Sequence, residues 1–190
     1  MQKLKHHFQS VIAQDGVLVC DDFALVELMA LNVLNQEARL CRLTRDLEVM
    51  PFLQVDPQQT SQYFIRLGPA FEIVASATLK PRQSEIIELV DGELFRLPEG
   101  ARSLSQVGVS KNHRHQGHAT KILQRIRDEM DQPDWGTMLV LTSYHDDGLK
   151  YLRPKVRSVF ANAPIPVLEY EPAFGGFRPV NQFPTLGTQG

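Results

Sequence analysis

The stretch Val107-Gly-Val-Ser-Lys-Asn-His-Arg-His-Gln-Gly-His-Ala-Thr-Lys-Ile-Leu123 joins a short apolar strand to a helix through a turn that holds R-x-x-G-x-A. The strand pattern covers Leu104 to Val109. From Ala119 onward Ile122, Leu123, Ile126 and Met130 recur at spacings of three and four, which predicts a helix with one buried face. Gly117 and Ala119 keep side-chain bulk low where that helix begins, and Arg114 adds a cation. The first N–H groups of a helix have no partner along it, and with the helix dipole behind them they attract anions. The turn therefore suits a phosphate-bearing ligand and is held between two rigid elements.

Downstream, Asp131-Gln-Pro-Asp-Trp-Gly136 breaks the helix, and Thr137-Met-Leu-Val-Leu-Thr142 is an apolar run of strand length. It reads as a buried parallel strand, because a strand, helix, strand unit of this length crosses over and returns to the same sheet. Tyr144-His-Asp-Asp-Gly-Leu-Lys-Tyr151 then opens a short helix.

These residues resemble the GNAT superfamily of acyl-CoA-dependent N-acyltransferases, whose signature is [RQ]-x-x-G-x-[GA] after a strand ending in Val. Arg114-His-Gln-Gly117-His-Ala119 matches it, and Val109 stands five positions before the Arg, as in the family. The resemblance implies a mixed α/β fold: a central, mostly antiparallel sheet with a parallel strand pair at the coenzyme site and helices on both faces. It implies acetyl-CoA as co-substrate, with Val107 and Val109 pairing with the pantetheine arm. Arg114, Gln116, Gly117, His118, Ala119 and Thr120 would wrap the pyrophosphate. It also makes Tyr151 the first candidate for general acid, with Tyr144 as the second. The family's upstream Glu, four positions before the strand-end Val, is replaced here by Ser105. A base could then act through water relayed by Ser105, or be Glu88, Asp91, His145 or Asp146.

The expected reaction is transfer of an acetyl group to a primary amine by direct attack in a ternary complex. Amide formation from a thioester needs a neutral amine, a fixed attack geometry and a proton donor for the departing thiolate. The acceptor stays open: a polyamine, amino acid, antibiotic, peptide terminus or protein lysine. Two neighbouring readings also stay open. The strands before the motif, with Arg82 to Leu97, loosely resemble acyl-homoserine lactone synthases, although these depart from the glycine turn. A coenzyme-binding protein without turnover is the other, supported by Ser105.

With 190 residues and 43% hydrophobic content the chain can bury one core and is short for two ordinary domains, so one domain over residues 1–182 with a loose tail at 183–190 is expected. A net charge of −2 gives no global reason for nucleic acid or an anionic membrane as partner. Lys111, Arg114, Lys121, Arg125 and Arg127 do concentrate charge around the turn, yet Asp128 and Glu129 follow at once and no helix-turn-helix pattern precedes them. No apolar run is long enough for a signal peptide or a membrane span, and Cys20 and Cys41 lack metal or redox spacing. A cytoplasmic protein without membrane or nucleic-acid partner follows, with a homodimer left open. His113, His115 and His118 stand at H-x-H-x-x-H spacing, but no second ligand cluster is near them, so no metal is expected.

Elsewhere, Gln2 to Ala13 and Asp21 to Leu34 are helical in pattern. Tyr63 to Leu67 and Phe71 to Leu79 read as a hairpin across Gly68-Pro69-Ala70. Ile86 to Val90 and Glu93 to Leu97 form a second hairpin pattern around Asp91-Gly92. Val156 to Phe160, Ala163 to Tyr170 and Gly175 to Pro179 are expected to supply the last strands and a connecting loop.

Overall fold

The computed structural model describes residues 16–20, 61–68, 73–142, 144 and 148–181. The two amino-terminal helical patterns, Cys41, His145, Asp146 and the tail at 183–190 lie outside the described residues. In chain order the strands are β1 (Val17–Cys20), β2 (Gln62–Leu67), β3 (Ile73–Pro81), β4 (Ile86–Glu88), β5 (Leu94–Arg96), β6 (Ala101–Val109), β7 (Met138–Leu141), β8 (Val167–Glu171) and β9 (Gly176–Pro179). The α-helices are α1 (His118–Glu129) and α2 (Arg153–Phe160). The chain divides into two compact units, each made from two separate stretches. The first takes residues up to Leu79 and Gln106–Arg125, and the second takes Lys80–Ser105 and everything from Ile126.

In the first unit β1, β2 and β3 form an antiparallel series, with Val17 opposite Arg66 and Gln62 opposite Leu79. Tyr63, Phe64 and Ile65 on β2 and the run from Ile73 to Leu79 on β3 are buried, which is why so apolar a stretch extends instead of coiling. The exit of β6 lies beside β3, where the Ser110 N–H donates to the Val74 carbonyl at 2.9 Å. In α1 the fully buried Ile122, Leu123 and Ile126 make the stripe expected from the sequence, while Lys121, Gln124 and Asp128 are exposed. Each buried aliphatic side chain contributes about 1.5–3 kcal/mol, so the stripe fixes the start of the helix.

In the second unit β6 and β7 run parallel, Ala101 opposite Met138 through Leu104 opposite Leu141, so the strand, helix, strand unit is formed. Their register ends there, while β6 continues to Val109. A second parallel pairing joins β7 to β8, and β9 returns antiparallel to β8. Among the described residues the sheet thus holds the expected parallel pair, β6 with β7, and a further parallel pairing beside it. On one face of β8, Leu168 packs with Ile87, Leu97, Ala101, Met138 and Val140 beneath the β4–β5 hairpin. On the other face Glu169 meets α2.

Val156 to Phe160, expected as strand, is helix α2. Pro154 lies in its first turn, where a missing N–H costs nothing, and Val156 and Phe160 are both fully buried four residues apart. Of the short helix expected at Tyr144 to Tyr151, the described residues Gly148–Leu152 form a π-helical turn that feeds into α2.

Candidate functional site

A single 3-10 turn at Lys111–His113 follows β6, and the chain then extends at Arg114. His115 (φ 62°) and Gly117 (φ 82°) both adopt left-handed backbone, and Gln116 folds back so that its side-chain amide donates to the Asn112 carbonyl at 3.2 Å. Such a conformation costs an ordinary residue about 1–2 kcal/mol and glycine far less. A Cβ on Gly117 would meet no heavy atom within 4 Å, so the glycine answers to conformation and faces open space.

The first bond of α1 runs from the Lys121 N–H to the Gly117 carbonyl at 3.1 Å. The N–H groups of His118, Ala119 and Thr120 precede it and have no partner along the helix. Arg114 and Lys121 are exposed beside this end, and Val107 and Val109 are half-buried on the strand that leads to it. All eight residues expected to hold the coenzyme therefore belong to one unit: Val107, Val109, Arg114, Gln116, Gly117, His118, Ala119 and Thr120. The arrangement is a concentration of backbone donors and cations able to hold a diphosphate.

His118 is oriented by a residue that the sequence did not single out. The Arg66 Nε–H on β2 donates to Nδ1 of His118 at 2.8 Å. An Nδ1 lone pair so used places the proton of the neutral ring on Nε2. Nε2 itself is buried and has no hydrogen-bond partner. Burial first, then the charges of Arg66, His113 and Lys121, hold the His118 pKa below the ordinary histidine value. The rings of His113 and His118 meet edge to face at 6.0 Å, and among the described residues no three His, Cys, Asp or Glu side chains group to hold a metal ion. The separation of 52 positions between Arg66 and His118 explains why no local pattern announced the pair.

The catalytic candidates belong to the second unit. Ser105 is exposed on β6. Tyr144 is half-buried and donates its phenolic hydrogen to Oε1 of Glu169 at 3.0 Å. Burial chiefly, and Glu169 next, push its pKa well above the ordinary tyrosine value. Glu169 is fully buried and also accepts from Arg153 Nε at 3.1 Å and from Arg157 Nε and Nη2 at 2.9 and 2.7 Å. Arg153 and Arg178 pair with Glu171 in the same cluster. Tyr151, by contrast, is 44% exposed in the π-helical turn, with the Lys150 ammonium 4.9 Å over its ring.

Among the other base candidates, Glu88 is exposed on β4 and Asp91 accepts the Glu93 N–H at 3.1 Å in the hairpin turn. The Glu169 cluster was missed because its members come from separate segments, among them β8 and α2. Arg153 and Arg157, four apart on a helix, were the signal that could have paired them.

No helix among the described residues is long and apolar enough to cross a membrane. No protein-family model matches the chain, and no curated protein does. Solved structures give a likeness in outline. The xEco2 acetyltransferase domain bound to a CoA conjugate is 12% identical at a TM-score of 0.46, covering 76% of this chain and 89% of that one. A ribosomal-protein-alanine N-acetyltransferase from Brucella melitensis biovar Abortus 2308 is 16% identical at a TM-score of 0.42, covering 73% of this chain and 88% of that one.

Proposed function

We propose that the chain is an acyl-CoA-dependent N-acyltransferase that moves an acetyl group from acetyl-CoA to a primary amine. The observation that carries this reading is the start of α1. Gly117 sits in left-handed backbone with open space before it, three helix N–H groups follow it, and the exposed cations Arg114 and Lys121 stand three residues before and four residues after it. A diphosphate fits that donor set, and the resemblance of R-x-x-G-x-A to the acyltransferase signature supports coenzyme A as its source.

In the proposed reaction the neutral amine attacks the thioester carbonyl, the C–N bond forms, the C–S bond breaks and the thiolate leaves with a proton from a phenol. Tyr151 is the better donor, because Tyr144 already gives its hydrogen to the buried Glu169. Ser105 would relay the amine's proton through water to solvent. The same Ser105 favours a second reading, coenzyme binding without turnover, since a serine is no base by itself.

Calorimetric titration with coenzyme A and acetyl-CoA, followed by a screen of amines for thiol release, tests both. Saturable binding with release supports the enzyme, and binding with no release for any amine class supports the second reading. A folded protein that binds neither ligand overturns both.

A further inference from the structure

We propose that Arg66 and His118 form a proton-sensitive latch on the coenzyme cradle. With the imidazole neutral, the Arg66 Nε–H···Nδ1 bond ties the first residue of α1 to β2, and with Nδ1 protonated the tie is lost and the cradle releases its ligand. The proposal rests on the acyl-CoA reading and adds a control to it.

The geometry permits the tie in one protonation state only. At 2.8 Å the Nδ1 lone pair accepts from the guanidinium, so a proton on Nδ1 removes the acceptor and sets two cations against each other. Among the described residues, the charged and titratable groups acting on His118 add to that repulsion: Arg66 on β2, His113 on the 3-10 turn and Lys121 on α1 itself. Nε2, buried and without a hydrogen-bond partner, offers the added charge no compensation. Protonation of Nδ1 therefore breaks the bond to Arg66 and favours a ring that swings away from the guanidinium.

His118 is also the first residue of α1, so its side chain and one of the three cradle N–H groups share a Cα. Displacing the ring displaces that donor. Arg66, for its part, is seated against Gly16, the residue before β1. A Cβ on Gly16 would lie 3.4 Å from Arg66 Nη1, and Gly16, at φ 72°, is in left-handed backbone. The guanidinium therefore lies close against Gly16, and the imidazole is the member of the pair that moves.

The test follows the His118 ring by NMR across pH in the full chain and in Arg66→Met and Arg66→Lys variants, beside calorimetric titration of each with coenzyme A. Arg66→Met is expected to raise the His118 midpoint by about one pH unit, and Arg66→Lys to restore part of the difference. Coenzyme A affinity is expected to fall about tenfold per pH unit below the His118 midpoint, with the onset shifted upward in Arg66→Met by the same interval. A His118 midpoint that Arg66→Met leaves in place overturns the latch. Affinity that stays flat through a shifted midpoint overturns its control of binding. Absence of coenzyme A binding at every pH overturns the acyl-CoA reading and the control built on it, while the NMR arm still decides whether the two side chains are coupled.

Discussion

The hydroxyl of Tyr144 donates to a carboxylate with no solvent access, Oε1 of Glu169 at 3.0 Å. That bond separates the two tyrosines which sequence placed side by side as proton donors. Tyr144→Phe is expected to destabilise folding by about 1–2 kcal/mol in urea titration, since a buried acceptor loses one of its donors, with coenzyme A affinity unchanged. Tyr151→Phe is expected to leave the unfolding midpoint within about 0.5 kcal/mol and to lower turnover. The reverse pattern would make Tyr144 the proton donor.

Glu169 holds Arg153, Arg157 and Tyr144 together. Glu169→Leu leaves guanidinium groups without their buried counterion, and a loss of about 3–5 kcal/mol is expected from chemical unfolding. A change under 1 kcal/mol would mean that the cluster is hydrated and holds α2 only loosely.

Gly117 and Gly92 offer a matched pair. Both have left-handed backbone, at φ 82° and 85°, and neither would present a Cβ to any heavy atom within 4 Å. Gly117→Ala and Gly92→Ala should therefore cost about the same stability, on the order of 1 kcal/mol each. Coenzyme A binding, read by calorimetry, should suffer only in Gly117→Ala, where the added methyl group occupies the space before the helix. Equal retention of binding would remove the cradle from this turn.

The direction of the His118 shift sets a pH dependence of stability. Burial and neighbouring cations hold the folded-state pKa below the ordinary value, so the unfolded chain binds the proton more readily. This contribution is fully present above the unfolded value of about 6.5 and is lost as pH falls from there toward the lowered folded value. His118→Gln is expected to flatten the stability profile in that window, as followed by urea unfolding at successive pH values. A profile unchanged by the substitution would show that other groups set it.

The elements on either side of Gly117 could be read from sequence because their signals are local. Ile122, Leu123 and Ile126 define a helical stripe, Met138 to Leu141 is an unbroken apolar run, and Gly117 marks the join. Val156 to Phe160 misled because five residues with apolar ends fit a strand as well as one helical turn, and Pro154 carried the deciding signal. Arg66 with His118 and Tyr144 with Glu169 were illegible for another reason. Each pair forms only when distant segments are brought together by the fold, so no local pattern carries it.

The β4–β5 hairpin closes over the last strand of its unit: Leu89 bridges to Phe177, and the Val90 N–H donates to the Phe177 carbonyl at 2.9 Å. That approach depends on Gly176, where a Cβ would come within 2.9 Å of the Leu89 backbone. An uncovered strand is a template on which a foreign chain can add itself, and proteins guard against this with covers and with prolines such as Pro179 at the end of β9. Gly176 is in this sense a residue of colloidal safety: a side chain there would lift the cover and turn a terminal strand into an aggregation seed.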